Sequence, residues 1–553
     1  MFPVSRRCLL CSGRLSLSTK YPTTRRRSAV PAAATAPPPS PEKDSPTMIE
    51  VPTICLDPTA QKGENLRVKP YEEVPGPVGL PFIGSLLDYV GNGPYSMKKM
   101  HLAIIDRFRQ YGPIFKETLV GSTHVHIIEP HDVKELIRLE GVTPRRITLD
   151  PMVAYRKLRK RNIGMSNLQG EEWRRLRQPF NHLMFKPGQI NTYIPKVEEC
   201  ADDFCTLMRE LRTPDGEVPD YMRQMQRWTL ETLADVVLNT RIGCMDKHLS
   251  ELAERVITSA IHFITGLGDL MYSFPLYKYG IYTETWRKFA TAQDFFFEFV
   301  QPYVLETIES MKKDERAVKL GSDYHRMERN ATFLESLLAM HTNTELEVIS
   351  ELLNDLLLGA IDTVSSMFSF VIYNLSRNPH CQEKVYEEIN AVLPPGTPIT
   401  PEALQMLPYL KAFVKESTSH FCFRLFPAVD GTSRILDTDI TLSGYNIPAN
   451  TIIRIHAVAG MMSEYVPEPE IFKPERWLRT ADSTILASPY LTMAFGVGPR
   501  MCLGKRLAEL QINIGIIKLL QNFRFEWHHP DVTLDAQITN RPSRPVQPKV
   551  IDR

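Results

Sequence analysis

Apolar residues recur every three to four positions along most of this 553-residue chain. That spacing is typical of helices that bury one face against a protein core. The segments in which it is strongest predict helices at residues 96–111, 171–185, 191–212, 219–239, 247–265, 284–313, 345–377, 379–391 and 505–522. Two other stretches, 114–128 and 434–456, are rich in β-branched residues and predict short strands. The pattern therefore predicts a mainly α-helical fold with a small β-rich subdomain.

The first 41 residues differ in composition from the rest of the chain. They contain seven Arg or Lys residues and no Asp or Glu, and they are rich in Ser, Thr and Ala. This composition is typical of a mitochondrial transit peptide, and a disordered basic tail is the alternative. The Pro-containing residues 42–70 predict a linker. No repeat or second linker follows, so residues 71–553 are predicted to form one large domain.

Charge and cysteine usage exclude several functional classes. The formal net charge is +1, to which the first 41 residues contribute +7, so residues 42–553 carry −6. A mildly acidic body without a basic stripe argues against nucleic-acid binding. The nine cysteines are irregularly spaced, which argues against a disulfide framework and for a reducing compartment. No apolar run reaches the ~18 residues of a membrane-spanning helix.

One cysteine lies in a glycine-rich loop near the C-terminus, in the segment Phe495–Gly504. Arg500 precedes Cys502 by two residues, and a helical pattern begins directly after the loop. Positive charge and the N–H groups of a helix start both favour a thiolate over a thiol. A lone cysteine is more often a small buried hydrophobe. In this setting Cys502 is a candidate axial ligand of a haem iron.

The segment 352–375 is apolar on nearly every face, which predicts a buried helix. Its interior contains Gly359 and Ala360, whose small side chains leave room for a flat ligand. A mid-helix Gly costs about 1 kcal/mol relative to Ala, so its presence needs a reason. Asp362 and Thr363 follow, and Thr363 can bond back to a carbonyl one turn earlier. A buried helix with one internally satisfied polar pair is the alternative interpretation.

The decapeptide Phe495–Gly504 resembles the haem-binding signature of the cytochrome P-450 family, and the other motifs follow in that family's order, as in its animal mitochondrial clan. The resemblance spans about residues 71–548 and implies a single haem-enclosing domain with haem b bound by Cys502. It implies that Asp362 and Thr363 help to protonate iron-bound dioxygen. It also implies a set of further haem-binding residues: Trp173, Arg177, Arg434, Phe495 and Arg500.

A second implied feature is a buried network of Glu416, Arg424 and Arg476. In the family a Glu-x-x-Arg pair meets the arginine of a segment like Phe472–Trp477, but here Glu416 and Arg424 are eight residues apart. Residues 418–422 look inserted, or they are an error of splice prediction. Since eight residues turn an arginine roughly 140° away from its usual place, an unbroken helix would separate the pair. We therefore expect the insert to loop out or to end the helix early.

The resemblance further implies a monooxygenase that acts on a sterol-, ecdysteroid- or xenobiotic-like lipophile. Lys411 and Lys415 would dock an adrenodoxin-like ferredoxin that an NADPH-dependent reductase supplies with electrons. The apolar, loop-like stretch 262–277 predicts peripheral contact with the inner mitochondrial membrane, on its matrix side. Two alternatives remain open: a thiolate-haem isomerase or dehydratase without a redox partner, and a non-catalytic haem-binding protein disabled by residues 418–422.

Overall fold

The computed structural model divides the chain into two compact units, Met1–Asn65 and Leu66–Arg553. The structure describes residues 67–313, 331–341, 344–420, 431–456, 466, 468, 471–478, 488, 490–491, 493–535 and 539–553. The predicted transit peptide and most of the predicted linker lie outside these residues. The folded unit begins slightly before residue 71, because the backbone of Lys69 pairs with Gly444 and Asn446 at 2.9 Å each.

Helices dominate the second unit, as the sequence predicts. In the described residues they are α1 (Met100–Tyr111), α2 (Pro130–Leu139), α3 (Asp150–Leu158), α4 (Gly170–Phe185), α5 (Pro187–Asn191), α6 (Ile194–Leu211), α7 (Tyr221–Leu233), α8 (Glu251–Met271), α9 (Glu284–Lys313), α10 (Phe333–Met340), α11 (Leu346–Arg377), α12 (Pro379–Val392), α13 (Pro401–Gln405), α14 (Pro408–Lys415) and α15 (Lys505–Asn522). Two π-helical turns, Ala234–Leu238 and Glu416–His420, continue α7 and α14.

The strands form small sheets beside the helices. They are β1 (Ile114–Leu119), β2 (Ser122–Ile127), β3 (Gly431–Ile435), β4 (Ile440–Leu442), β5 (Tyr445–Ile447), β6 (Ile452–His456), β7 (Phe523–Glu526), β8 (Leu534–Asp535), β9 (Arg541–Pro542) and β10 (Lys549–Asp552). The largest sheet has the order β1-β2-β6-β3, with β2 and β6 parallel and the other pairs antiparallel. The mainly α fold with a small β-rich part is thus confirmed.

The long helix α11 is the centre of the helical part. Among the described residues it is the one helix that is long and apolar enough to cross a membrane, yet 83% of its apolar window is buried inside the protein. Helices α7, α8 and α9 pack against it. It ends at Arg377 because Pro379 has no N–H to continue the helical ladder. It is therefore a core helix whose position fixes one wall of the interior.

The prediction that residues 262–277 are loop-like is wrong for the first part of this stretch. Helix α8 continues to Met271, and Gly266 lies so close to α9 that an added Cβ would be 3.0 Å from Phe289. Small residues permit this close contact of two helices, and they do not mark a loop here. The apolar surface lies just beyond the helix, where Phe274 is 60% and Tyr279 70% exposed.

Two buried histidines face each other across the central sheet. Nδ1 of His126 on β2 lies 2.9 Å from Nε2 of His456 on β6, and the rings stack. Burial lowers the pKa of His126 well below 6.5, and the nearby positive charges of His456 and Arg454 act in the same direction. The folded protein thus keeps His126 neutral at a pH where an exposed histidine takes up a proton.

This burial predicts an acid-sensitive sheet. Below about pH 6.5 the unfolded chain binds a proton at His126 that the folded chain does not, so the free energy of unfolding falls as pH falls. One such group contributes up to about 1.4 kcal/mol per pH unit. We therefore expect that, when the pH is lowered from 7.5 to 5.5, the free energy of unfolding of His126→Gln in urea falls by about 1 kcal/mol less than that of wild type. The exposed His131 gives the control, since His131→Gln should unfold with the pH dependence of wild type. Equal pH dependence of all three proteins would contradict the prediction.

Candidate functional site

A cavity of about 370 Å³ lies between α11 and the loop that precedes α15. Its walls combine one thiol, three guanidinium groups and a long apolar face. Most of these side chains come from three stretches of sequence far apart in the chain: the segment 146–184, α11, and the segment 493–511. The apolar residues of the wall include Met165, Leu233, Leu352, Leu356, Val364, Met367, Ile455 and Met493. A cavity of this type, apolar with a few convergent polar groups, is the usual form of a small-molecule site.

Cys502 lies at the base of the cavity and exposes its thiol to it. Its N–H donates to the carbonyl of Phe495 at 2.8 Å, which closes the loop behind the sulfur. Gly496 and Gly498 take φ values of +70° and +71°, which only glycine adopts without strain. At Gly498 an added Cβ would also lie 1.9 Å from Glu140. The glycines of the motif are therefore required by the backbone path of the loop.

Two opposing effects act on the Cys502 thiol. Burial raises its pKa, whereas the backbone N–H groups of Gly504 and Lys505 and the charge of Arg177 lower it. Helix α15 begins at Lys505, so these N–H groups belong to its free N-terminal end. The protein thus directs its donors at the sulfur, which suits a thiolate once a cation is bound to it.

A cluster of arginines lies beside the cysteine loop. Arg146, Arg177 and Arg500 line the cavity, and burial lowers the pKa of each, to about 10, 10 and 8 respectively. Nη1 of Arg500 is buried without a hydrogen-bond partner among the described residues. Like charges placed together in the interior are unfavourable without an anion. The cluster therefore fits a ligand with carboxylate groups.

Arg434 does not line the cavity, although the family resemblance implies that it binds the cofactor. Its guanidinium forms a buried ion pair with Glu140 and donates to the carbonyl oxygen of Val497 at 2.7 Å. Among the described residues, Glu140 makes no hydrogen bond to the three arginines of the cluster, and it acts on Arg500 only through its charge, which raises the pKa of that guanidinium. Arg434 thus stabilises the cysteine loop through the carbonyl of Val497. Direct contact between Arg434 and the cofactor remains a prediction.

Trp173 and Arg177 share one face of α4, as the spacing predicts, and both line the cavity. Trp173 is 3% exposed, and the guanidinium carbon of Arg500 lies 4.0 Å from its ring centroid. Arg177 donates to the carbonyl oxygen of Met501 at 2.7 Å, which ties α4 to the residue before the cysteine. Phe495 also lines the cavity, next to Lys505. Four of the predicted cofactor residues are thus brought together around Cys502.

The opposite wall is formed by α11. Thr363 lines the cavity, and its hydroxyl donates to the carbonyl oxygen of Gly359 at 2.8 Å, as predicted. An added Cβ at Gly359 would meet no atom within 4 Å and would project into the open space of the cavity. The small residues therefore leave a gap for a flat ligand between α11 and Cys502. Haem, a planar molecule with two carboxylates, fits this gap and the arginine cluster.

Asp362 is directed away from the cavity. Its carboxylate is 2% exposed and accepts hydrogen bonds from Arg541 at 2.6 Å and from Thr539 at 2.6 Å. Asp362 and Thr363 point in different directions because successive helical residues lie about 100° apart. In this arrangement the two side chains do not form a direct hydrogen-bonded relay, so a proton transfer between them requires a rotation or a water.

The predicted buried network is only partly within the described residues. Glu416 is fully buried, and it accepts from Nε of Arg476 at 3.3 Å and from Nε1 of Trp477 at 2.7 Å. Helix α14 ends as an α-helix at Lys415, and a π-helical turn follows over Glu416–His420. The chain therefore stays helical through three of the five residues that look inserted, and the expectation that this segment loops out or ends the helix early stays a prediction. Arg424 lies outside the described residues, so its return toward Glu416 stays a prediction.

Lys411 and Lys415 are both exposed on α14. The Lys415 ammonium lies 4.1 Å from the centroid of the Trp477 ring. Although the Lys415 side chain as a whole is exposed, its ammonium is partly desolvated beside this ring, and this desolvation, together with the charge of Lys505, lowers the pKa of Lys415. The start of α15 therefore brings more positive charge close to α14. We call Lys411, Lys415, Lys505 and Arg506 the basic patch.

Sequence reasoning missed Arg146 and Glu140. Arg146 lies in a loop with no periodic pattern, and its guanidinium donates to the carbonyl oxygen of Ser166 at 2.7 Å. Glu140 follows α2 and meets Arg434 from 294 positions away along the chain. Neither residue has a sequence signal of its own. Both become visible only when the fold places them beside Arg500.

The chain matches the family model described as Cytochrome P450 over residues 74–550. It is 33% identical to Cytochrome P450 10 of Lymnaea stagnalis over 491 residues, which cover 87% of this chain and 85% of the relative. It is 30% identical to the mitochondrial 1,25-dihydroxyvitamin D(3) 24-hydroxylase of Rattus norvegicus over 471 residues, with 85% and 86% covered. Cytochrome P450 CYP12A2 of Musca domestica is 28% identical over 519 residues, with 89% and 93% covered.

These matches confirm the family, the enzyme class and the haem cofactor that the sequence predicts. Several of the relatives are mitochondrial by name, which supports a mitochondrial location. The family match extends over almost the whole of the folded unit, and the cavity contains the thiol that this family uses as its iron ligand. The chain therefore belongs to the cytochrome P450 family, with haem as its cofactor and monooxygenation as its class of reaction.

Proposed function

We propose that this protein is a mitochondrial monooxygenase that inserts one oxygen atom of O₂ into a C–H bond of a lipophilic substrate. Its electrons come from an adrenodoxin-like ferredoxin, which an NADPH-dependent reductase keeps reduced. The observation that carries the proposal is the single cavity in which the Cys502 thiol lies opposite Thr363. When bound, haem supplies the activation of dioxygen and the attack on the C–H bond.

The residues of the cysteine side bind and orient the cofactor. Cys502 would supply the thiolate ligand, with the N–H groups at the start of α15 stabilising its charge. Arg146, Arg177 and Arg500 would pair with the two propionates, and the unpartnered Nη1 of Arg500 would gain an acceptor. Arginine suits this task because its planar fork binds carboxylates through two parallel hydrogen bonds.

The residues of α11 line the side of the cavity that lies opposite Cys502. Gly359 and Ala360 leave space above the cofactor plane, and Thr363 presents a hydroxyl to that space. We expect the Thr363 hydroxyl to hold and donate the proton that the reaction consumes there, with Asp362 as its source. Since the Thr363 proton now bonds to the carbonyl oxygen of Gly359, this transfer requires the hydroxyl to turn toward the cavity.

The substrate is expected to be apolar and ring-containing. Apart from the thiol, the arginines and Thr363, the described part of the cavity wall consists mostly of aliphatic and thioether side chains. Such a wall favours the burial of an apolar ligand and offers it few hydrogen bonds. One relative is by its name a hydroxylase of 1,25-dihydroxyvitamin D(3), a lipophile of this kind. These observations support a sterol-, ecdysteroid- or xenobiotic-like substrate.

We further propose that the protein lies on the matrix side of the inner mitochondrial membrane. The segment after α8 exposes Phe274, Tyr279 and Ile281 at 60%, 70% and 55%. The rings of Phe274 and Tyr279 stack with centroids 6.0 Å apart. A contiguous exposed apolar surface of this kind suits peripheral contact with lipid.

The basic patch is the expected docking surface for the ferredoxin. Complementary charge mainly accelerates association, so a charge reversal in the patch should act on the ferredoxin step. We expect Lys415→Glu to raise the KM for ferredoxin about tenfold, equivalent to about 1.4 kcal/mol. Steady-state turnover at varied ferredoxin concentration measures this change. The matched control is Lys134→Glu on α2, an exposed lysine outside the patch, which should leave the KM for ferredoxin unchanged. Equal KM values for both variants would contradict the docking assignment.

The proposed function is tested by reconstitution. The purified protein, reduced and exposed to carbon monoxide, should show the red-shifted band of thiolate-bound haem. A panel of sterols and xenobiotics that shift the spectrum of the oxidised protein then identifies substrates. Product containing one atom of ¹⁸O₂, formed only when ferredoxin, reductase and NADPH are all present, would support the proposal. Turnover of a substrate without any electron donor would instead favour the isomerase.

A further inference from the structure

The stretch 146–166 supplies part of the wall of the Cys502 cavity. Arg146, Met165 and Ser166, from the two ends of this stretch, line the cavity, and helix α3 lies between them. We call the whole stretch the α3 flap. Because both of its ends form cavity wall, a movement of the flap alters that wall and the access of a ligand to the interior.

A buried ionic cluster attaches the α3 flap to α11. Nη2 of Arg156 on α3 donates to Oδ1 of Asp355 at 2.7 Å, and Nη1 lies 3.6 Å from Oε2 of Glu351. All three side chains are at most 5% exposed. The cluster thus places two carboxyl groups and one guanidinium away from water. Buried charges of this kind are tolerated only when each of them is paired.

The two carboxyl groups of the cluster have more acceptor sites than the structure fills. Oε2 of Glu351 and Oδ2 of Asp355 are buried without a hydrogen-bond partner among the described residues. Gly164 lies against Oδ2, since an added Cβ there would be 2.2 Å from this oxygen. One guanidinium cannot neutralise two ionised carboxylates, so the closed flap favours a proton on one of them.

Glu351 is the carboxyl group that takes this proton. Burial raises its pKa to about 7, and the charge of Asp355 acts in the same direction. Arg156, Arg161 and the backbone N–H of Asn162 oppose this shift. Burial also raises the pKa of Asp355, but Arg156 bonds to that carboxylate at 2.7 Å. When the flap opens, Glu351 meets water and its pKa returns toward 4.5, so the closed flap binds a proton that the open flap releases.

The other contacts of the α3 flap do not share this property. Asp150 pairs with Lys278 at the surface, where both side chains are more than 40% exposed. Surface pairs of this kind contribute little to stability. Met152 and Tyr155 bury apolar side chains, which hold the flap to the same extent at every pH. The proton on Glu351 is therefore the change that most affects how firmly the flap is held near neutral pH.

We propose that Glu351 is a proton-controlled latch: when protonated it keeps the α3 flap closed over the Cys502 cavity, and when ionised it lets the flap open more often. The inference rests on the proposed function, because it assigns a regulation to the same cavity. Glu351 does not contact the reacting atoms. It acts through Arg156 and the flap, so its effect is on the entry of a ligand and not on the chemistry within the cavity.

The sign of the pH effect follows from the raised pKa. Glu351 keeps its proton up to about pH 7 in the closed flap, but only up to about pH 4.5 in the open flap. Opening between these values releases a proton, so it becomes up to about tenfold more frequent for each pH unit and levels off above pH 7. From pH 6 to pH 8 we expect the population of the open flap to increase about tenfold.

Hydrogen exchange of the α3 amides tests this expectation. Exchange rates in Asp150–Leu158, divided by the intrinsic rate at each pH, should rise about tenfold from pH 6 to pH 8 in the wild-type haem protein. Glu351→Gln has nearly the same shape but cannot ionise, so its corrected rates should be equal at the two pH values. Glu351→Met, which removes the polar group as well, should behave in the same way. A wild type without this pH dependence, or variants that retain it, would overturn the proposal.

The matched control is Asp150→Asn on the same flap. It removes a surface carboxylate that pairs with Lys278 and leaves the buried cluster intact. Opening should become more frequent at both pH values, with the tenfold ratio of wild type preserved. If Asp150→Asn lost this ratio as Glu351→Gln does, a general loosening of the flap would be the cause, and the latch would be rejected.

A second measurement follows the entry of a ligand. The association rate of carbon monoxide with the reduced protein, recorded by stopped flow, should rise at least threefold from pH 6 to pH 8 in wild type and stay constant in Glu351→Gln. Equal rates of wild type at the two pH values would contradict control of entry by the flap. The position of the resulting band is a separate readout. A red-shifted band leaves the proposed function intact whatever the rates, whereas its absence counts against the proposed function alone.

Discussion

Cys502→Ser should yield a folded protein that loses the red-shifted carbon monoxide band and at least about 100-fold of its turnover, equivalent to about 2.7 kcal/mol of barrier. The serine hydroxyl has nearly the shape of the thiol but does not ionise at neutral pH. The N–H groups of Gly504 and Lys505 then have no sulfur charge to stabilise. Thiolate donation to iron, which favours cleavage of the O–O bond, is lost with it. Difference spectra and product assays measure both changes.

The control for this variant is the same substitution at a buried cysteine outside the cavity. Cys381→Ser on α12 changes one sulfur to oxygen where burial, not cofactor binding, determines the environment of the thiol. It should keep the carbon monoxide band and the turnover of wild type, with at most a modest loss of stability. A Cys502→Ser protein that retained its haem spectrum and full turnover would remove the basis of the proposed function.

The sequence predicts the elements of this protein better than their contacts. Helix α15 is observed over residues 505–522, as predicted, because its pattern begins directly after the glycines of the cysteine loop. The long helix α11 also has nearly its predicted bounds, since a Pro follows it. Helix α8 is the main exception, because its last turns fall in the stretch 262–277, which is predicted to be loop-like and which contains Gly266 and Gly268. In the fold those glycines lie within the helix, and Gly266 packs closely on α9.

Side-chain partners from distant segments cannot be read from periodicity. The family resemblance implies that Arg434 binds the cofactor, and nothing in its own segment indicates that Glu140 neutralises it. Arg146 joins the arginine cluster from an irregular loop. The direction of Asp362, in contrast, was available from the sequence. Adjacent residues of a helix do not share a face, so Asp362 and Thr363 had to diverge.

Glu416→Ala should destabilise the fold by about 3–5 kcal/mol, the largest effect on stability that we expect from one substitution. Glu416 is fully buried and accepts from the N–H of Lys473, Nε of Arg476 and Nε1 of Trp477 at 2.8, 3.3 and 2.7 Å. Its removal takes away a buried acceptor of the Arg476 Nε–H and of the Trp477 indole N–H. Both losses cost more than a surface ion pair because no water replaces the partner. Urea unfolding measures the change.

The neighbouring ion pair provides the matched comparison. Glu475 and Lys384 form a contact of 2.7 Å in which both side chains are more than one third exposed, so Glu475→Ala should cost less than about 1 kcal/mol. A second comparison is the double variant Glu416→Gln with Arg476→Met, which removes both charges. It should be more stable than Glu416→Ala, since the guanidinium is removed together with the carboxylate that it pairs with. If Glu416→Ala were as stable as Glu475→Ala, the buried network would not hold the segment Phe472–Trp477 against α14. If the double variant is more stable than Glu416→Ala, the site requires that its buried charges be paired. If the two are equally stable, the loss in Glu416→Ala comes from another cause, such as the space that the side chain fills.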